Sequence, residues 1–207
     1  MKALVLVDLQ NDFCSGGQLA VPEGEEVVPV ANGLMAAWNL VVATKDWHPA
    51  NHGSFAGNHE GKEIGDVIVL DGLEQILWPS HCVQDSFGAR FHKDVKTDGI
   101  EKVFFKGTDP RVDSYSGFFD NQHRNATGLE AYLKEKGVTG IYVGGLAMDY
   151  CVKFTVLDAL ELGFETTVIP DACRAVNVQP GDGEKAIAEM VEKGAKVITS
   201  QEMLNAG

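Results

Sequence analysis

Residues 141–152 read IYVGGLAMDYCV, and this stretch decides how the rest of the chain is interpreted. An apolar strand runs through a glycine pair and delivers Cys151 to the predicted start of a helix. Unpaired backbone N–H groups in a first helical turn carry partial positive charge, which favours a thiolate and can hold an oxyanion. The alternative interpretation is a small cysteine in the core, because free cysteine is among the most buried residue types.

On both sides of this stretch, apolar runs of strand length alternate with segments of helical periodicity, as in a parallel sheet covered on both faces. The predicted strands are residues 2–8, 40–44, 102–105, 140–144, 166–169 and 196–199, and the predicted helices are residues 26–38, 126–136, 150–162 and 183–193. We therefore predict a single three-layer α/β/α domain over residues 1–207, with a mainly parallel central sheet of about six strands. Residues 46–99 break the alternation and are predicted to form a loop-rich, metal-binding insertion, because long loops in compact domains are usually functional.

The composition excludes several classes of protein. The formal net charge of −13 repels nucleic-acid phosphates and anionic lipid, so we expect neither nucleic acid nor a membrane as a partner and favour a small neutral or cationic substrate. We expect a cytoplasmic protein, because no apolar run approaches the roughly 18 residues of a membrane span and no signal-peptide pattern follows Asp8. The four cysteines lie far apart without a C-x-x-C pair, which predicts free thiols.

Charged residues stand where predicted strands end. Asp8 ends the first strand, and Lys106 follows the apolar run of residues 103–105. Because ligands in open α/β sheets bind at the carboxyl ends of strands, we expect both side chains to converge with Cys151. Asp8 and Lys106 alone are typical of a structural ion pair. Beside a cysteine, however, the carboxylate can accept the thiol proton and the ammonium can stabilise the thiolate.

Residues 46–52, DWHPANH, form a candidate metal site. Asp46 and His48 are two positions apart in backbone that the following proline keeps extended, so their side chains project to the same side. That proline can open a helical turn that brings His52 back, and His81 could complete the set. Such a set of N and O ligands suits one divalent metal ion, Zn²⁺, Fe²⁺ or Mn²⁺, and the ligand types do not choose among the three. Zinc is the metal that we expect first. The competing interpretation is that these polar side chains only cap loop turns.

Five strings occur in order and cover most of the chain, namely LVDLQNDFC, TKDWHPANHGSFA, WPSHCVQ, FFKGTDPRVDSYSGF and GGLAMDYCVKFTVLDA. Together they resemble the nicotinamidases of the isochorismatase-like cysteine hydrolase superfamily. The metal-site string is the specific one, because other branches of that superfamily generally share the catalytic triad without the metal ligands. The resemblance implies hydrolysis of nicotinamide to nicotinate and ammonia through a Cys151 thioester, in the salvage of NAD, and extends to pyrazinamide.

The resemblance also implies roles for the matched catalytic residues. Asp8 matches the base that activates Cys151, and Lys106 matches the stabilising cation. The backbone N–H groups of Ala147 and Cys151 match an oxyanion hole, next to a cis peptide bond between Leu146 and Ala147. The matched metal ligands are Asp46, His48, His52 and His81, of which the last coordinates directly in some relatives and through water in others.

Three aromatic residues match the substrate site of the family. Phe13 and Trp78 match the walls that sandwich a flat pyridine ring, and Tyr115 matches a position close to them. Aromatic pairs of this kind contribute roughly 1 kcal/mol beyond the area that they bury. Met148 departs from the family pattern, which often has threonine there, and we expect no loss of chemistry from this difference.

Three alternative functions stay open at the level of sequence. A metal-free relative would act on another small amide or on an enol ether such as isochorismate. A metallohydrolase would attack with metal-bound hydroxide and leave Cys151 passive. A protein without activity would bind a metal or a small molecule at the same place. The sequence also leaves open whether the chain forms a homo-oligomer.

Overall fold

Six parallel strands form the centre of the molecule, whose computed structural model describes residues 1–205. The strands are β1 (Lys2–Val7), β2 (Val41–Asp46), β3 (Val67–Leu70), β4 (Leu73–Ile76), β5 (Lys102–Lys106), β6 (Gly140–Leu146), β7 (Glu165–Arg174) and β8 (Lys196–Val197). The helices are α1 (Val27–Met35), α2 (Leu129–Glu135), α3 (Lys153–Glu161), α4 (Asp182–Glu192) and α5 (Ser200–Asn205). The main sheet has the order β5-β2-β1-β6-β7-β8, and each of its strand pairings is parallel. The predicted fold class is therefore confirmed.

The two faces of the sheet bury separate hydrophobic clusters. Because side chains alternate along a strand, Val5 of β1 packs with Leu133 of α2 and Val156 of α3, on the face that also carries α4. Leu6 points the other way, into a cluster with Leu34 of α1 and with residues of α5. Full burial of a side chain of this size contributes about 1.5–3 kcal/mol. The alternation along β1 thus fixes a three-layer arrangement.

The observed elements extend beyond the predicted ones at three places. β7 continues through Pro170, where its pairing with β6 is interrupted between Val143 and Gly145, so that the missing N–H of proline is tolerated. Within the predicted loop-rich stretch, β3 and β4 form an antiparallel hairpin. α5 was not predicted. The helix predicted to contain Cys151 begins at Lys153 and is preceded by a π-helical turn, Met148–Val152.

The second glycine of the pair in β6, Gly145, is required for steric reasons. Gly145 has a φ of +131°, and a Cβ atom there would collide with the backbone of Val7 on the neighbouring strand. Only glycine fits both conditions. β1 and β6 therefore approach closely just before Asp8 and Cys151.

All four cysteines are free and buried, which confirms the expected free thiols. Among the described residues, no helix combines the length and the apolar character needed to cross a membrane.

The strand order also positions the functional site. Numbered among the six strands of the main sheet alone, the order is 3-2-1-4-5-6, and the direction of winding reverses between β1 and β6. Open α/β sheets bind ligands at this reversal, outside the carboxyl ends of the strands. Asp8 follows β1, and Cys151 follows β6.

Candidate active site

The side chains of Asp8, Lys106 and Cys151 meet at the carboxyl ends of β1, β5 and β6. Lys106 Nζ lies 2.9 Å from Asp8 Oδ2 and 3.3 Å from Cys151 Sγ. A carboxylate oxygen of Asp8 and the sulfur of Cys151 lie within 4.8 Å of each other. All three residues are buried. A carboxylate, an ammonium and a thiol are thus in contact range within one buried site, and such a set can support covalent catalysis by a thiol.

The Asp8 carboxylate is held by one hydroxyl group and one ammonium group. Thr44 Oγ1, on β2, donates a hydrogen bond of 2.6 Å to Asp8 Oδ1, while Oδ2 faces Lys106. Burial raises the pKa of Asp8 above its usual value, although the Lys106 charge opposes the rise. A carboxylate with a raised pKa is a stronger base, which suits a group that must remove a thiol proton.

The buried position of Cys151 disfavours its thiolate. Burial raises the pKa of Cys151 well above its usual range, and Lys106 offsets only part of this effect. Desolvation thus opposes the thiolate that the start of a helix would favour. A carboxylate oxygen of Asp8 lies within 4.8 Å of the sulfur, within reach of its proton.

Lys106 joins this triad to a second group of polar residues. Its Nζ is hydrogen-bonded to the carboxylate of Asp46 and, at 3.0 Å, to the carbonyl oxygen of Ser114. Burial alone would lower the pKa of Lys106, but Asp46 and Asp8 hold it well above its usual value. The ammonium therefore stays charged and balances two buried carboxylates.

Asp46, His48 and His81 form a group with the geometry of a metal centre. The Nε2 atoms of His48 and His81 lie 3.6 Å and 3.7 Å from Asp46 Oδ2. Each Nδ1 bonds a backbone carbonyl, that of Gly107 at 2.9 Å and that of Pro79 at 2.8 Å. Because a carbonyl oxygen can only accept, these bonds place a proton on each Nδ1 and leave each Nε2 facing the Asp46 carboxylate, the orientation found in histidine metal ligands.

The charge of Asp46 also suits a cation. Burial would raise the pKa of Asp46, but Lys106 and His48 hold it well below its usual value. The carboxylate is therefore ionised and lies against two imidazoles. One O and two N ligands leave further positions open around a divalent ion.

His52 lies beside this centre, in a second group with His48 and Asp113. Its Nδ1 accepts the Ser54 backbone N–H at 3.2 Å and lies 2.7 Å from the Ser54 hydroxyl. Its buried Nε2 has no hydrogen-bond partner in the described part of the chain. Burial, followed by the charge of His48, lowers the pKa of His52 to about 4, so the ring is neutral. Because Nδ1 accepts a hydrogen bond, the neutral ring carries its proton on Nε2. Nε2 would bind a metal ion only in the other tautomer, with the proton on Nδ1 and donated to the Ser54 hydroxyl.

A pocket reaches both Cys151 of the triad and the side chains of Asp46 and His81. Its walls include Phe13, Trp78, Tyr115, His81, Ala147 and Cys151. The peptide bond between Leu146 and Ala147 is cis. The structure thus brings the matched aromatic residues, the Ala147 backbone and the cysteine to one cavity.

The comparisons with known proteins agree with this geometry. The isochorismatase domain family matches residues 2–202. The chain belongs to this family. It is 54% identical to the nicotinamidase of Escherichia coli (strain K12) over 202 residues, covering 96% of this chain and 94% of that protein.

Solved structures of the isochorismatase family share the fold. The yeast nicotinamidase bound to the inhibitor nicotinaldehyde has a TM-score of 0.90 and 36% identity, covering 96% of this chain and 100% of that one. The pyrazinamidase of Pyrococcus horikoshii in complex with zinc has a TM-score of 0.78 and 37% identity, covering 96% of this chain and 98% of that one.

This isochorismatase-family site contains residues that the sequence reasoning missed. Gln75 Nε2 donates to the Tyr115 hydroxyl and to Asp113 Oδ2, each at 3.2 Å, and Trp78 Nε1 donates to the same hydroxyl at 3.0 Å. Asp113 lies two positions before Tyr115 and carries no spacing signal of its own. Thr44 ends a predicted strand and lies two positions before Asp46. That position was the available sequence signal that Thr44 belongs to the site.

Proposed function

We propose that this protein is a metal-dependent nicotinamidase that converts nicotinamide to nicotinate and ammonia. The observation that carries the proposal is the position of Lys106, which contacts Asp8 and Cys151 on one side and Asp46 of the metal group on the other. An amide held at the metal group would thus present its carbonyl carbon to the thiol. The 54% identity to a nicotinamidase supports the same reaction.

In the proposed mechanism, Cys151 Sγ attacks the carboxamide carbon while Asp8 takes the thiol proton. The negative charge of the resulting tetrahedral oxygen would be held by the backbone N–H groups of Ala147 and Cys151. The C–N bond then breaks, Asp8 returns the proton to the departing nitrogen, and ammonia leaves a thioester. Water activated by Asp8 cleaves that thioester, which releases nicotinate and restores the thiol.

Lys106 has an electrostatic role in these steps. The cation lies 3.3 Å from the sulfur and therefore stabilises negative charge as it develops there. It also keeps Asp8 and Asp46 from repelling each other in the buried site.

Asp46, His48 and His81 would hold one divalent metal ion, with His52 as a further predicted ligand. Zinc is proposed first, because the related pyrazinamidase was solved in complex with zinc, and iron or manganese are the alternatives. When bound, the metal would orient the ring nitrogen of the substrate and withdraw electron density from the ring. The metal-free alternative is not favoured, because without a metal ion the buried imidazole nitrogens that face Asp46 would have no ion to bind.

The pyridine ring would lie between Phe13 and Trp78, with Tyr115 forming a further part of the wall. Each of these residues lines the cavity that contains Cys151. Pyrazinamide has a ring of the same size and is proposed as a second substrate. The cytoplasmic location stays a prediction of the sequence, which leaves the oligomeric state open.

The test is release of ammonia from nicotinamide by the metal-loaded protein and its Cys151→Ala variant. We expect turnover in the wild type and loss of turnover in the variant, with metal content and nicotinamide binding retained. Cys173→Ala removes another buried thiol and serves as the control, with activity near that of the wild type. Full activity of Cys151→Ala would refute the mechanism.

A further inference from the structure

We propose that Asp12 is a positioning residue for the metal centre, acting through the backbone of Cys82. The proposal rests on the metal site proposed above. Asp12 does not line the substrate cavity, and its carboxylate is buried. It lies in the 3₁₀ turn Asn11–Phe13, four residues after the proposed base.

The Asp12 carboxylate connects two separate segments of chain. Its Oδ2 accepts the Cys82 backbone N–H at 2.7 Å, and its Oδ1 accepts the Gln18 backbone N–H at 3.1 Å. Hydrogen bonds to an ionised acceptor are shorter and about twice as strong as neutral ones. Both carboxylate oxygens are thus committed to backbone donors.

Cys82 is connected to both histidines of the Asp46 group, His48 and His81. It directly follows His81, and its carbonyl oxygen accepts the His48 backbone N–H at 3.1 Å. Its φ of +45° is in the left-handed region, which a non-glycine residue adopts only when its surroundings fix it. The Asp12 bond to the Cys82 N–H fixes this peptide and thereby sets where both imidazoles stand.

Gly88, in another segment of the same chain, leaves room for the Asp12 carboxylate. A Cβ atom built on Gly88 would collide with the carboxylate group of Asp12. The backbone of Gly88 lies outside the left-handed region, so the space for Asp12 is the requirement for glycine at this position. The Asp12 backbone N–H also donates to the Gly88 carbonyl at 3.1 Å.

The experiment measures the zinc dissociation constant of metal-stripped protein by competition with a chromophoric chelator. Asp12→Asn keeps the shape of the side chain but turns an NH₂ group toward one of the two backbone donors. Groups that orient metal ligands typically contribute 10–100-fold in metal affinity, so we expect the zinc Kd to rise at least tenfold. Asp85→Asn makes the same change at an exposed position of the same loop region and should stay within twofold of the wild type.

A zinc Kd for Asp12→Asn within twofold of the wild type would overturn the inference, even if its Tm fell, since that result describes a purely structural residue. If Asp12→Asn does not fold, Gly88→Ala displaces the carboxylate without changing Asp12, and the same tenfold rise is expected. An unchanged Kd in Gly88→Ala would then overturn it. Asp46→Ala separates the two proposals: equal zinc binding by the wild type and Asp46→Ala would remove the proposed metal site itself.

Discussion

Lys106 is the residue on which the charge balance of the site depends. Its ammonium contacts two carboxylates, and the side chain is completely buried. Removing one partner of a buried ion pair costs about 3–5 kcal/mol, because the other charge is left uncompensated. The same side chain would stabilise charge on Cys151 during the reaction, so stability and activity are linked at this position.

We therefore expect Lys106→Met to lower the free energy of unfolding by about 3–5 kcal/mol and to reduce kcat by about 10²–10³. Urea unfolding and the ammonia-release assay measure the two effects. Lys185→Met removes an exposed ion pair with Asp182 and should change stability by less than about 1 kcal/mol. Wild-type stability in Lys106→Met would contradict this view of the site.

Thr44 affects the pKa of Asp8, the proposed base. Its hydroxyl donates to the Asp8 carboxylate and lowers the pKa of Asp8, against the larger effect of burial. Thr44→Val removes this donor, so the pKa of Asp8 should rise further. Asp8 cannot accept the thiol proton once it is protonated, and we expect the acid limb of the kcat/KM profile to move to higher pH.

The control for this pH profile is Thr166→Val, which removes a buried hydroxyl on β7 that donates to the Phe164 carbonyl. Its acid limb should coincide with that of the wild type. An acid limb in Thr44→Val that is unmoved, or that moves to lower pH, would mean that Asp8 is not the group that controls activity.

Sequence reasoning at single residues predicted which side chains come close together at the strand ends, while their catalytic roles stay predictions. Asp8, Lys106 and Cys151 stand at strand ends, so parallel pairing alone predicts that they approach one another. The ionisation of Cys151 was not predictable, because it depends on how completely water is excluded. His52 was expected from spacing beside Asp46, whereas the structure points the His81 ring toward that carboxylate and groups His52 with Asp113.

Among the elements, the β3–β4 hairpin is the one that the sequence analysis missed within the insertion. Its turn is Asp71-Gly72, in which both residues have positive φ, a pair that strongly indicates a two-residue hairpin. The apolar run of residues 67–70 and the turn signal were both present in the sequence, so the hairpin was predictable from local pattern. Val67 and Val69 nevertheless prove to be exposed, unlike the apolar residues of β1.

This hairpin supports the substrate pocket. Gln75 of β4 donates to the Tyr115 hydroxyl and to Asp113. Gln75→Met keeps the volume but removes both donors, at a cost of about 1 kcal/mol. We expect KM for nicotinamide to rise about fivefold with kcat nearly unchanged, because a displaced wall weakens the ground state and the transition state equally.

Steady-state kinetics separates the two constants. Glu74→Met changes the adjacent, exposed residue of β4 and should leave KM unchanged. A fall in kcat at constant KM in Gln75→Met would instead place Gln75 in the chemical step.

In the molecule as a whole, strand order explains why the site is built from distant segments. The reversal between β1 and β6 brings residues 8 and 151 together, and residues 46 and 106 end the two strands on one side of β1. The alternation of apolar runs was enough to predict the sheet and its layers. Contacts of loop residues such as Asp12, Gln75 and Asp113 depend on long-range register, which no local pattern contains.

Binding of a metal ion at the proposed site should stabilise the folded protein. Asp46 is charged in the buried interior, so a bound cation would satisfy a group that otherwise costs free energy. A ligand at 100 times its Kd stabilises the folded state by about 2.7 kcal/mol. For a domain of this size, 1 kcal/mol corresponds to about 2–4 °C, so zinc should raise the Tm of stripped protein by roughly 5–10 °C.

Differential scanning fluorimetry of stripped protein, with and without zinc, measures this shift, and chelation should remove activity in parallel. Asp46→Ala should abolish the zinc-dependent rise, whereas His123→Ala, which changes an exposed histidine outside the group, should keep it. Because zinc stabilises only a fold whose ligands are already assembled, a shift in His123→Ala but not in Asp46→Ala would assign the effect to this buried centre. A wild-type Tm that is the same in both conditions would mean that the buried carboxylate is balanced by Lys106 alone, with no role for a cation.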